Sequence, residues 1–531
     1  MEGKMTDRSQ NSTPINRREF IRTLGAAAAG MALGPSAACR REFPAGKKRR
    51  PNLIFIFADQ LRAQTTGFGG ETQVSTPHLD RFARQGVNFT NAVSNTPICT
   101  PYRGSMLTGR YPHACGTICN FIRLPDSERT FGEILREQGY RTGYIGKWHL
   151  SGARGVDYEP PGPGRHGFDT WSSYAFEHDQ NRIRYFEDGP EPIEPEGYMA
   201  EHETQRAIDF LERQEKDEPF CLFLSWGPPH PPYEPWQMPL EYLERYGTVD
   251  EIPWSRLTQE ERKSWQAWQK PVSFSPRRLD QRPNQRGNRL SDSAVAAYFA
   301  MTEWIDTCFG KIMAALDNSG QAQDSIVVFS SDHGEMLNSH GLRGKMIFYD
   351  ESIRIPFLVR WPRKIRPGTV VDACIGTVDF LPTILGLMGI PVPGNVQGMD
   401  LSHRALGLGG PEPEAAVLAG YTGYGSFTPG WEYRGIRSKS HTYARSLQEL
   451  IKDYGPQKGR IYGPNPEYYL FDNRSDPFQL NNLAADPKYR DIFHEMESVL
   501  SAHLERTGDR FLPALEYRQF FDRGRLIKPI I

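Results

Sequence analysis

The chain of 531 residues lacks several features that would place it in a specialised class of protein. Its seven cysteines are too few to form a disulfide framework along such a length. Cys115 and Cys119 lie close together, but no second pair repeats their spacing, so neither a disulfide nor a metal site is favoured there. The net charge of −1 argues against a protein that coats DNA or another polyanion, so no nucleic-acid partner is expected. No internal repeat is found either.

What remains is an ordinary globular composition, with 38% hydrophobic and 24% charged residues. The length indicates at least two structural units. Residues 1–50 are predicted to lie outside the fold. Arg17 and Arg18 precede an apolar run over residues 24–33, and together they resemble a twin-arginine export signal. The resemblance implies an exported, periplasmic protein that uses the Tat export machinery.

The apolar run of this signal is too short to span a bilayer as a transmembrane helix. The alternative is an amphipathic tail with a chance arginine pair, which the alanine-rich run disfavours. Residues 36–38 suit ordinary signal cleavage. Cys39 is a candidate for lipidation, although the apolar residue expected at Ser36 is missing. Residues 40–50 follow as a basic linker.

Four apolar runs predict buried parallel strands, at residues 52–58, 219–225, 325–330 and 355–359. Helical segments are predicted between them, at residues 76–86, 130–139 and 293–316. This alternation indicates an α/β domain over residues 51–400, with a parallel sheet covered by helices on both faces. An insertion at about 236–292, rich in tryptophan and arginine, interrupts the rhythm. The insertion can be a solvated surface loop or a segment that faces the substrate, and the sequence favours neither.

A smaller α+β unit is predicted over residues 401–531. The composition becomes richer in glycine after Leu401, and shorter strand-like pieces follow at residues 433–437 and 468–471. A helix is predicted over residues 489–506.

Polar residues follow three of the predicted strands, and parallel strands end at one rim of a sheet, where ligands bind. Asp59 and Gln60 follow the first strand, His230 follows another, and Asp332 and His333 follow a third. Two carboxylates that meet at a rim make a cation site. The alternative for an isolated aspartate after a strand is a turn or a helix cap.

The most specific motif begins at Cys99, in the run Cys99-Thr100-Pro101-Tyr102-Arg103-Gly104-Ser105-Met106-Leu107-Thr108-Gly109-Arg110. A buried small hydrophobe and a thiolate nucleophile are the alternatives for a lone cysteine. Neither explains the proline two residues later and Arg103 four residues later. The run resembles the sulfatase signature, in which the cysteine is oxidised to formylglycine.

Three further elements resemble sulfatase motifs and occur in the family's order. They are Gly146-Lys147-Trp148-His149, Pro229-His230-Pro231-Pro232 and Gly344-Lys345. Each lysine or histidine taken singly is more often a surface or structural residue. The resemblance covers residues 51–483. It implies the alkaline phosphatase superfamily fold, in which a large, mixed, mostly parallel sheet is flanked by helices and joined to a smaller C-terminal unit.

The resemblance also implies a divalent cation, commonly calcium. Its implied ligands are Asp59, Gln60, Asp332, His333 and the modified Cys99. Many relatives have a second aspartate where this chain has Gln60, so the site carries one negative charge fewer. We therefore expect weaker calcium binding, or tolerance of Mg²⁺ or Mn²⁺.

The implied catalytic residues are Cys99, Arg103, Lys147, His149, His230 and Lys345. Formylglycine hydrates to a diol, and Asp59 and the cation favour loss of a proton from the hydroxyl that attacks sulfur. Lys345 and His230 contact the ester, and one of them protonates the leaving oxygen. His149 then takes a proton from the second hydroxyl, so that the aldehyde reforms and sulfate leaves.

Arg103 and Lys147 are expected to hold the diol and the sulfate. Glu177, His178 and Asp179 are candidates for substrate contact, together with Arg277, Arg278, Arg282, Arg286 and Arg289 of the insertion. Tyr111 and His113 are expected only to shape the pocket.

The sequence therefore predicts an exported sulfatase that hydrolyses sulfate esters by S–O cleavage and is matured by a formylglycine-generating enzyme. Export and the aromatic, basic insertion favour a sulfated carbohydrate as substrate. Three alternatives stay open. They are a phosphonate or phosphate ester hydrolase of the same superfamily, a catalytically inactive sulfated-glycan binding protein, and a hydrolase that uses Cys99 as a thiol.

Overall fold

The computed structural model describes residues 50–152, 158–182, 184–246, 290–421, 432–446, 449–451, 460–462 and 467–512. The export signal and Cys39 lie outside the described residues, as do positions 247–289 of the insertion, which include the five arginines named above as candidates for substrate contact. Residues 49–531 form one compact unit. The boundary near residue 400 stays a prediction.

A mixed sheet of eight strands forms the larger part of the fold, in the order β4-β3-β5-β1-β6-β7-β2-β8. In chain order its strands are β1 (Asn52–Ala58), β2 (Val87–Val93), β3 (Arg141–Lys147), β4 (Thr170–Tyr174), β5 (Phe220–Trp226), β6 (Ser325–Ser331), β7 (Phe357–Arg360) and β8 (Thr369–Gly376).

The central strand β1 explains why its sequence is a continuous apolar run. Successive side chains of a strand point to opposite faces, so a strand covered on both sides must be apolar throughout. Leu53, Phe55 and Phe57 enter the hydrophobic core on one face. Ile54 and Ile56 enter the core on the other. The mostly parallel, helix-covered sheet is therefore confirmed.

The prediction of a parallel strand at residues 355–359 was wrong in direction. β7 runs antiparallel to β6 and to β2. A parallel strand needs a crossover to the opposite end of the sheet. The segment 332–356 carries site residues at the end where β6 finishes, so the chain re-enters the sheet from that same end.

Helices cover both faces of this sheet. They are α1 (Pro77–Gln85), α2 (Cys99–Thr108), α3 (Pro112–Cys115), α4 (Phe131–Glu137), α5 (Met199–Glu212), α6 (Leu240–Leu243), α7 (Asp292–Asn318), α8 (Asp350–Ile353), α9 (Phe380–Met388) and α10 (Ser402–Ala405). In the described part of the chain, no helix is both long enough and apolar enough to cross a membrane.

The start of the predicted insertion belongs to the core. Met238, Leu243 and Tyr246 are buried and pack in the same cluster as α7. The surface-loop interpretation therefore fails for residues 236–246.

The C-terminal part is built on an antiparallel sheet of four strands, in the order β14-β11-β10-β9. Its elements, with a separate two-stranded ribbon β12-β13, are β9 (Ala415–Gly420), β10 (Tyr433–Ser438), β11 (His441–Ser446), β12 (Glu449–Ile451), β13 (Arg460–Tyr462), β14 (Glu467–Asp472) and helix α11 (Arg490–Thr507). Leu500 and Leu504 of α11 pack on Ile436, Tyr443 and Leu470 of this sheet.

Candidate active site

The carboxyl ends of β1 and β6 place Asp59 and Asp332 side by side. The strands are parallel neighbours in which Ala58 pairs with Ser331, so Asp59 and Asp332 leave the sheet at the same level. The Asp332 N–H donates to the Ala58 carbonyl at 3.1 Å, and the Asp59 N–H donates to the Trp226 carbonyl at the end of β5 at 3.0 Å. The sheet therefore fixes the position of both carboxylates.

Cys99 occupies the first position of α2 and is buried. Its Sγ lies 3.4 Å from His333 Nε2 and 3.8 Å from Asp59 Oδ1. Two ammonium groups flank the same sulfur, Lys345 Nζ at 3.5 Å and Lys147 Nζ at 3.7 Å. Four side chains from three distant parts of the sequence thus converge on the sulfur of Cys99.

The start of α2 is itself anchored. Thr100 Oγ1 donates to the His149 carbonyl at 2.9 Å, and the Thr100 N–H donates to Asn120 Oδ1 at 3.0 Å. Gly104 faces Thr117 so closely that a Cβ there would lie 2.2 Å from Thr117 Oγ1. The glycine of the signature thus lets this helix approach its neighbour.

Asp59, Cys99, Asp332 and His333 can act together as a cation site. All four are buried, and one ligand atom from each lies within 4.8 Å of the others. Two carboxylates and an imidazole nitrogen form a donor set that suits a divalent cation. Gln60 is adjacent, but its Oε1 accepts a hydrogen bond from Lys345 Nζ at 2.7 Å.

Arg103 lies behind the carboxylates. Its Nη2 is 3.4 Å from Asp59 Oδ2 and 3.5 Å from Asp332 Oδ2, and its Nη1 donates to Ser225 Oγ at 2.8 Å and to the Lys147 carbonyl. These contacts place Arg103 where it holds the two carboxylates together. The expectation that it holds the diol and the sulfate stays a prediction.

Neighbouring charged side chains give Asp59 and Asp332 different pKa values. Burial alone would raise the pKa of Asp59, but the positive charges of Lys147 and Lys345 lower it well below its usual value. Lys147 Nζ contacts Asp59 Oδ2 at 2.5 Å. Burial and the neighbouring charge of Asp59 raise the pKa of Asp332. Asp59 is therefore the more readily ionised of the two carboxylates before any cation binds.

The thiol of Cys99 is a poor nucleophile in this setting. Burial and the Asp59 carboxylate raise its pKa, so the thiolate is disfavoured. The raised pKa of Cys99 therefore argues against a hydrolase that uses this residue as a thiol.

His149 and His230 are neutral at the site. Burial, followed by the charge of Lys147, lowers the pKa of His149 well below its usual value, and burial and Lys345 do the same for His230. Neither ring nitrogen of His149 has a hydrogen-bond partner among the described residues. The backbone of His149 is left-handed, with φ of 55°, and its ring packs against Phe121 and Phe176. The lone pair of this imidazole is free to take a proton.

His230 is fixed in one tautomer. Its Nδ1 lies 2.6 Å from the Pro231 carbonyl and must donate to it, which leaves Nε2 as the free acceptor. The ring stacks on that of His178, with ring centres 3.8 Å apart and planes 12° from parallel. Of the three candidates for substrate contact in that loop, His178 thus joins the site.

Glu177 and Asp179, the other two candidates for substrate contact, stabilise the loop instead. Glu177 Oε1 accepts from the His178 N–H at 2.9 Å, and Asp179 Oδ1 accepts from Gln237 Nε2 at 3.1 Å. Their carboxylates therefore fix the backbone that carries His178.

Tyr111 and His113 contact the C-terminal part. His113 Nδ1 lies 3.0 Å from the Tyr421 hydroxyl, and its Nε2 lies 3.1 Å from the Thr507 carbonyl. Tyr111 packs in one cluster with helix α11. The contacts of both residues therefore join two parts of the chain, beyond the pocket-shaping role expected of them.

Glu335 and Tyr233 are site residues that the sequence analysis missed. Glu335 contacts Gln60 Nε2, and the Tyr233 hydroxyl lies 3.5 Å from the same atom. Glu335 stands two residues after His333, so a further carboxylate beside the Asp332-His333 motif was the available signal.

Comparison with known proteins gives consistent matches along the chain. A family model described as Sulfatase matches residues 51–390, and one described as N-sulphoglucosamine sulphohydrolase, C-terminal, matches residues 338–506. An ulvan-active sulfatase of Formosa agariphila is 35% identical, over 87% of this chain and 82% of the relative. An endo-4-O-sulfatase of Bacteroides thetaiotaomicron is 28% identical, over 86% and 93% of the two chains.

Solved structures share the fold. A crystal structure of a candidate sulfatase from Bacteroides fragilis has a TM-score of 0.72 and 30% identity, over 89% of this chain and 98% of the other. The phosphonate monoester hydrolase of Agrobacterium radiobacter has a TM-score of 0.63 and 22% identity, over 86% and 96% of the two chains.

Proposed function

The chain belongs to the sulfatase family of the alkaline phosphatase superfamily, and from this we propose that it is an exported, formylglycine-dependent enzyme that desulfates a carbohydrate. The carrying observation is the buried cluster of Asp59, Cys99, Asp332 and His333, with an ammonium group on either side of Cys99 Sγ. Sulfatases generally use a metal ion and formylglycine. The donor set fits a divalent cation, and we propose Ca²⁺, with Mg²⁺ or Mn²⁺ as alternatives.

When present, the cation and formylglycine supply an activated hydroxyl and a counter-charge for sulfate oxygens. Lys147 and Lys345 place positive charge within 3.7 Å of Cys99 Sγ, where a sulfate monoanion is drawn in. Lys147 also keeps Asp59 ionised, and Arg103 braces Asp59 and Asp332 from behind. These three positively charged side chains hold the geometry of the site before substrate binds.

We assign the acid and the base from the protonation states of His149, His230 and Lys345. His149 is neutral with both ring nitrogens unpartnered, which suits the base that takes a proton as sulfate is expelled. His230 presents a bare Nε2, so in its neutral form it accepts rather than donates. Although burial opposes it, the carboxylates Asp59, Asp332 and Glu335 raise the pKa of Lys345, which is therefore protonated. We assign the leaving-group proton to Lys345.

A sulfated carbohydrate is supported as substrate by the relatives, since an ulvan-active sulfatase is 35% identical over most of both chains. His178 stacks on His230 and meets Phe176 edge to face, with ring centres 4.7 Å apart. Such rings offer flat apolar surface of the kind that sugar rings cover. We propose that His178 faces the sugar.

A desulfation screen tests this function. Protein whose Cys99 conversion is verified by mass spectrometry is assayed against defined sulfated saccharides, an aryl sulfate and an aryl phosphonate diester. We expect release of inorganic sulfate from at least one saccharide and none from Cys99→Ala. A clear preference for the phosphonate identifies the rival hydrolase, whereas binding without turnover identifies an inactive glycan-binding protein.

A second comparison tests the acid. A nitrophenyl leaving group needs little protonation, whereas a sugar hydroxyl needs it fully. Lys345→Met should therefore lose more activity on the saccharide sulfate than on nitrophenyl sulfate. If His230→Gln shows that selective loss instead, the proton comes from His230.

Export through the Tat machinery is also part of the proposal, supported by Arg17, Arg18 and the apolar run at residues 24–33. The chain with Arg17→Lys and Arg18→Lys should stay in the cytoplasm, while the unaltered chain reaches the periplasm. Metabolic labelling with a fatty acid decides whether Cys39 is lipidated. Equal export of both chains would exclude the Tat signal.

A further inference from the structure

Gln60 is held by hydrogen bonds at every polar group it possesses. Its N–H donates to Asp332 Oδ1 at 2.9 Å, and its carbonyl accepts from the Tyr298 hydroxyl at 2.7 Å. Its side-chain Oε1 accepts from Lys345 Nζ at 2.7 Å, and its Nε2 donates to Glu335 Oε2. The backbone is left-handed, with φ of 71°, which is uncommon for a residue other than glycine. The surroundings therefore specify one arrangement of this residue.

Glu335 joins the two loops that meet here. It is buried, with 1% of its surface exposed. Its Oε1 accepts from the Leu337 N–H at 3.2 Å and from the Gly344 N–H, directly before Lys345. Its Oε2 accepts from Gln60. One carboxylate thus contacts the residue after Asp59 and the backbone beside Lys345.

The two ends of the Gln60 amide have almost the same shape, so only their partners distinguish them. A carboxylate can only accept and an ammonium can only donate. The observed arrangement turns Nε2 to Glu335 and Oε1 to Lys345. The reversed amide would set two donors against each other at Lys345 and two acceptors against each other at Glu335.

We propose that Glu335 is a positioning residue that fixes the Gln60 amide with its oxygen toward the cation cluster and Lys345. This rests on the proposed function, since it gives Gln60 Oε1 the place of a neutral ligand beside Asp59 and Asp332. This chain has a glutamine beside Asp59, and a second carboxylate sets the direction of its side-chain amide. The pair Gln60 and Glu335 therefore supplies an oriented oxygen without a further charge at the cluster.

The test is a reciprocal exchange, read out as binding of Ca²⁺ alone by calorimetry. In Glu335→Gln the new amide can keep the backbone bonds with its oxygen, but its NH₂ then faces Gln60 Nε2. We expect Ca²⁺ binding at least about 10-fold weaker, a loss of roughly 1.4 kcal/mol. Gln60→Glu adds a negative charge, but it also sets two carboxylates against each other. This repulsion turns the new carboxylate from the cluster and should weaken binding similarly. The double variant Q60E/E335Q restores a donor–acceptor pair and should return to within about threefold of wild type.

Glu203→Gln is the matched control, because Glu203 is likewise buried, at 3% exposure, and burial raises its pKa well above its usual value. That variant should bind Ca²⁺ as wild type does. A purely structural role for Glu335, through its two backbone bonds, predicts normal binding in E335Q and no rescue in the double variant. Either result overturns the inference.

Melting temperatures in EDTA check that each variant folds. If E335Q does not fold, recovery of a folded, Ca²⁺-binding double variant supports the inference, and failure to recover overturns it. A wild-type protein that binds Ca²⁺ but releases no sulfate would overturn the proposed function and leave the exchange result standing. A wild type that binds neither Ca²⁺ nor Mn²⁺ overturns the inference itself.

Discussion

Single side chains at this site owe their chemistry to burial and to their neighbours. Lys147 and Lys345 are surface residues by type, yet both reach the sulfur of Cys99 from inside the protein. Buried charges persist only when they are paired, and here the carboxylates Asp59 and Asp332 pair with Lys147 and Arg103. Removing one partner therefore leaves an uncompensated buried charge.

The lowered pKa of His149 predicts the pH dependence of turnover. Burial keeps the imidazole neutral below its usual range, and the neutral form is the proposed base. Because His149 acts after the leaving group has departed, we expect kcat to stay level from pH 8 to pH 6.5 and to fall only in more acidic solution. His149→Gln should lower kcat by about 10²-fold or more, whereas His441→Gln in the C-terminal sheet should not. An acidic limb centred above pH 6.5 would be inconsistent with this assignment.

Local structure turns these residues into a site, and only part of it could be read from the sequence. The apolar run of β1 and the helix at 76–86 were predictable because periodicity and end signals reside in the local sequence. The direction of β7 was not, since it depends on where the preceding loop runs. The site residues were predictable through motifs. Glu335 was not, because its contacts depend on the fold of the loop that ends at Gly344.

Gly146 shows how strand β3 positions the side chain of Lys147. Its φ is +94°, and a Cβ there would lie 2.1 Å from the Ser225 carbonyl oxygen of β5. Gly146→Ala should push β3 from β5 and displace Lys147, costing about 1–3 kcal/mol of stability and most of the activity. Gly189→Ala, with open space around its Cβ, is the control for melting temperature and kcat. If Gly146→Ala and Gly189→Ala had the same melting temperature and kcat, the close approach of Gly146 to the Ser225 carbonyl would be refuted.

Asp306 links helix α1 to α7 through a titrating group. Its carboxylate accepts from the Leu79 N–H at 2.7 Å and the His78 N–H at 3.2 Å. Burial raises its pKa to about 7, so the folded protein holds a proton that the unfolded chain releases at lower pH. Its contribution to stability is thus present below its ordinary pKa and is lost as pH rises toward 7.

Wild type should therefore lose stability relative to Asp306→Asn between pH 5 and pH 8, by on the order of 1–4 kcal/mol. Asparagine keeps one acceptor oxygen and does not titrate. The measurement is the melting temperature of both proteins across this range. Parallel curves would mean that Asp306 titrates normally.

Across the whole chain, the C-terminal sheet is tied to the segment that leads to Cys99. Asn95 Nδ2 donates to the Val417 carbonyl of β9 at 2.6 Å, and the Ala419 N–H donates to the Asn95 carbonyl at 2.7 Å. Arg437 of β10 makes a paired contact with Asp350, at 2.8 and 2.9 Å. The smaller sheet thus supports the segment before Cys99 and the segment that follows Lys345.

Cation binding should stabilise the entire protein, because only the folded chain brings the cluster together. At 1,000 times its dissociation constant, a ligand adds about 4 kcal/mol. Ca²⁺ should therefore raise the melting temperature over that in EDTA, and Asp332→Asn should reduce the rise. Asp372→Asn, an exposed carboxylate paired with Lys439, should leave the rise unchanged. No rise in wild type would argue against a cation at this cluster.

The decisive measurement relates sulfate release to the modification of Cys99. Protein is prepared with different amounts of the formylglycine-generating enzyme, the converted fraction is read by mass spectrometry, and the initial rate on the best saccharide of the screen is measured. We predict a rate proportional to the converted fraction, with a line through the origin. A substantial rate from protein whose Cys99 is wholly unconverted would contradict the proposed function.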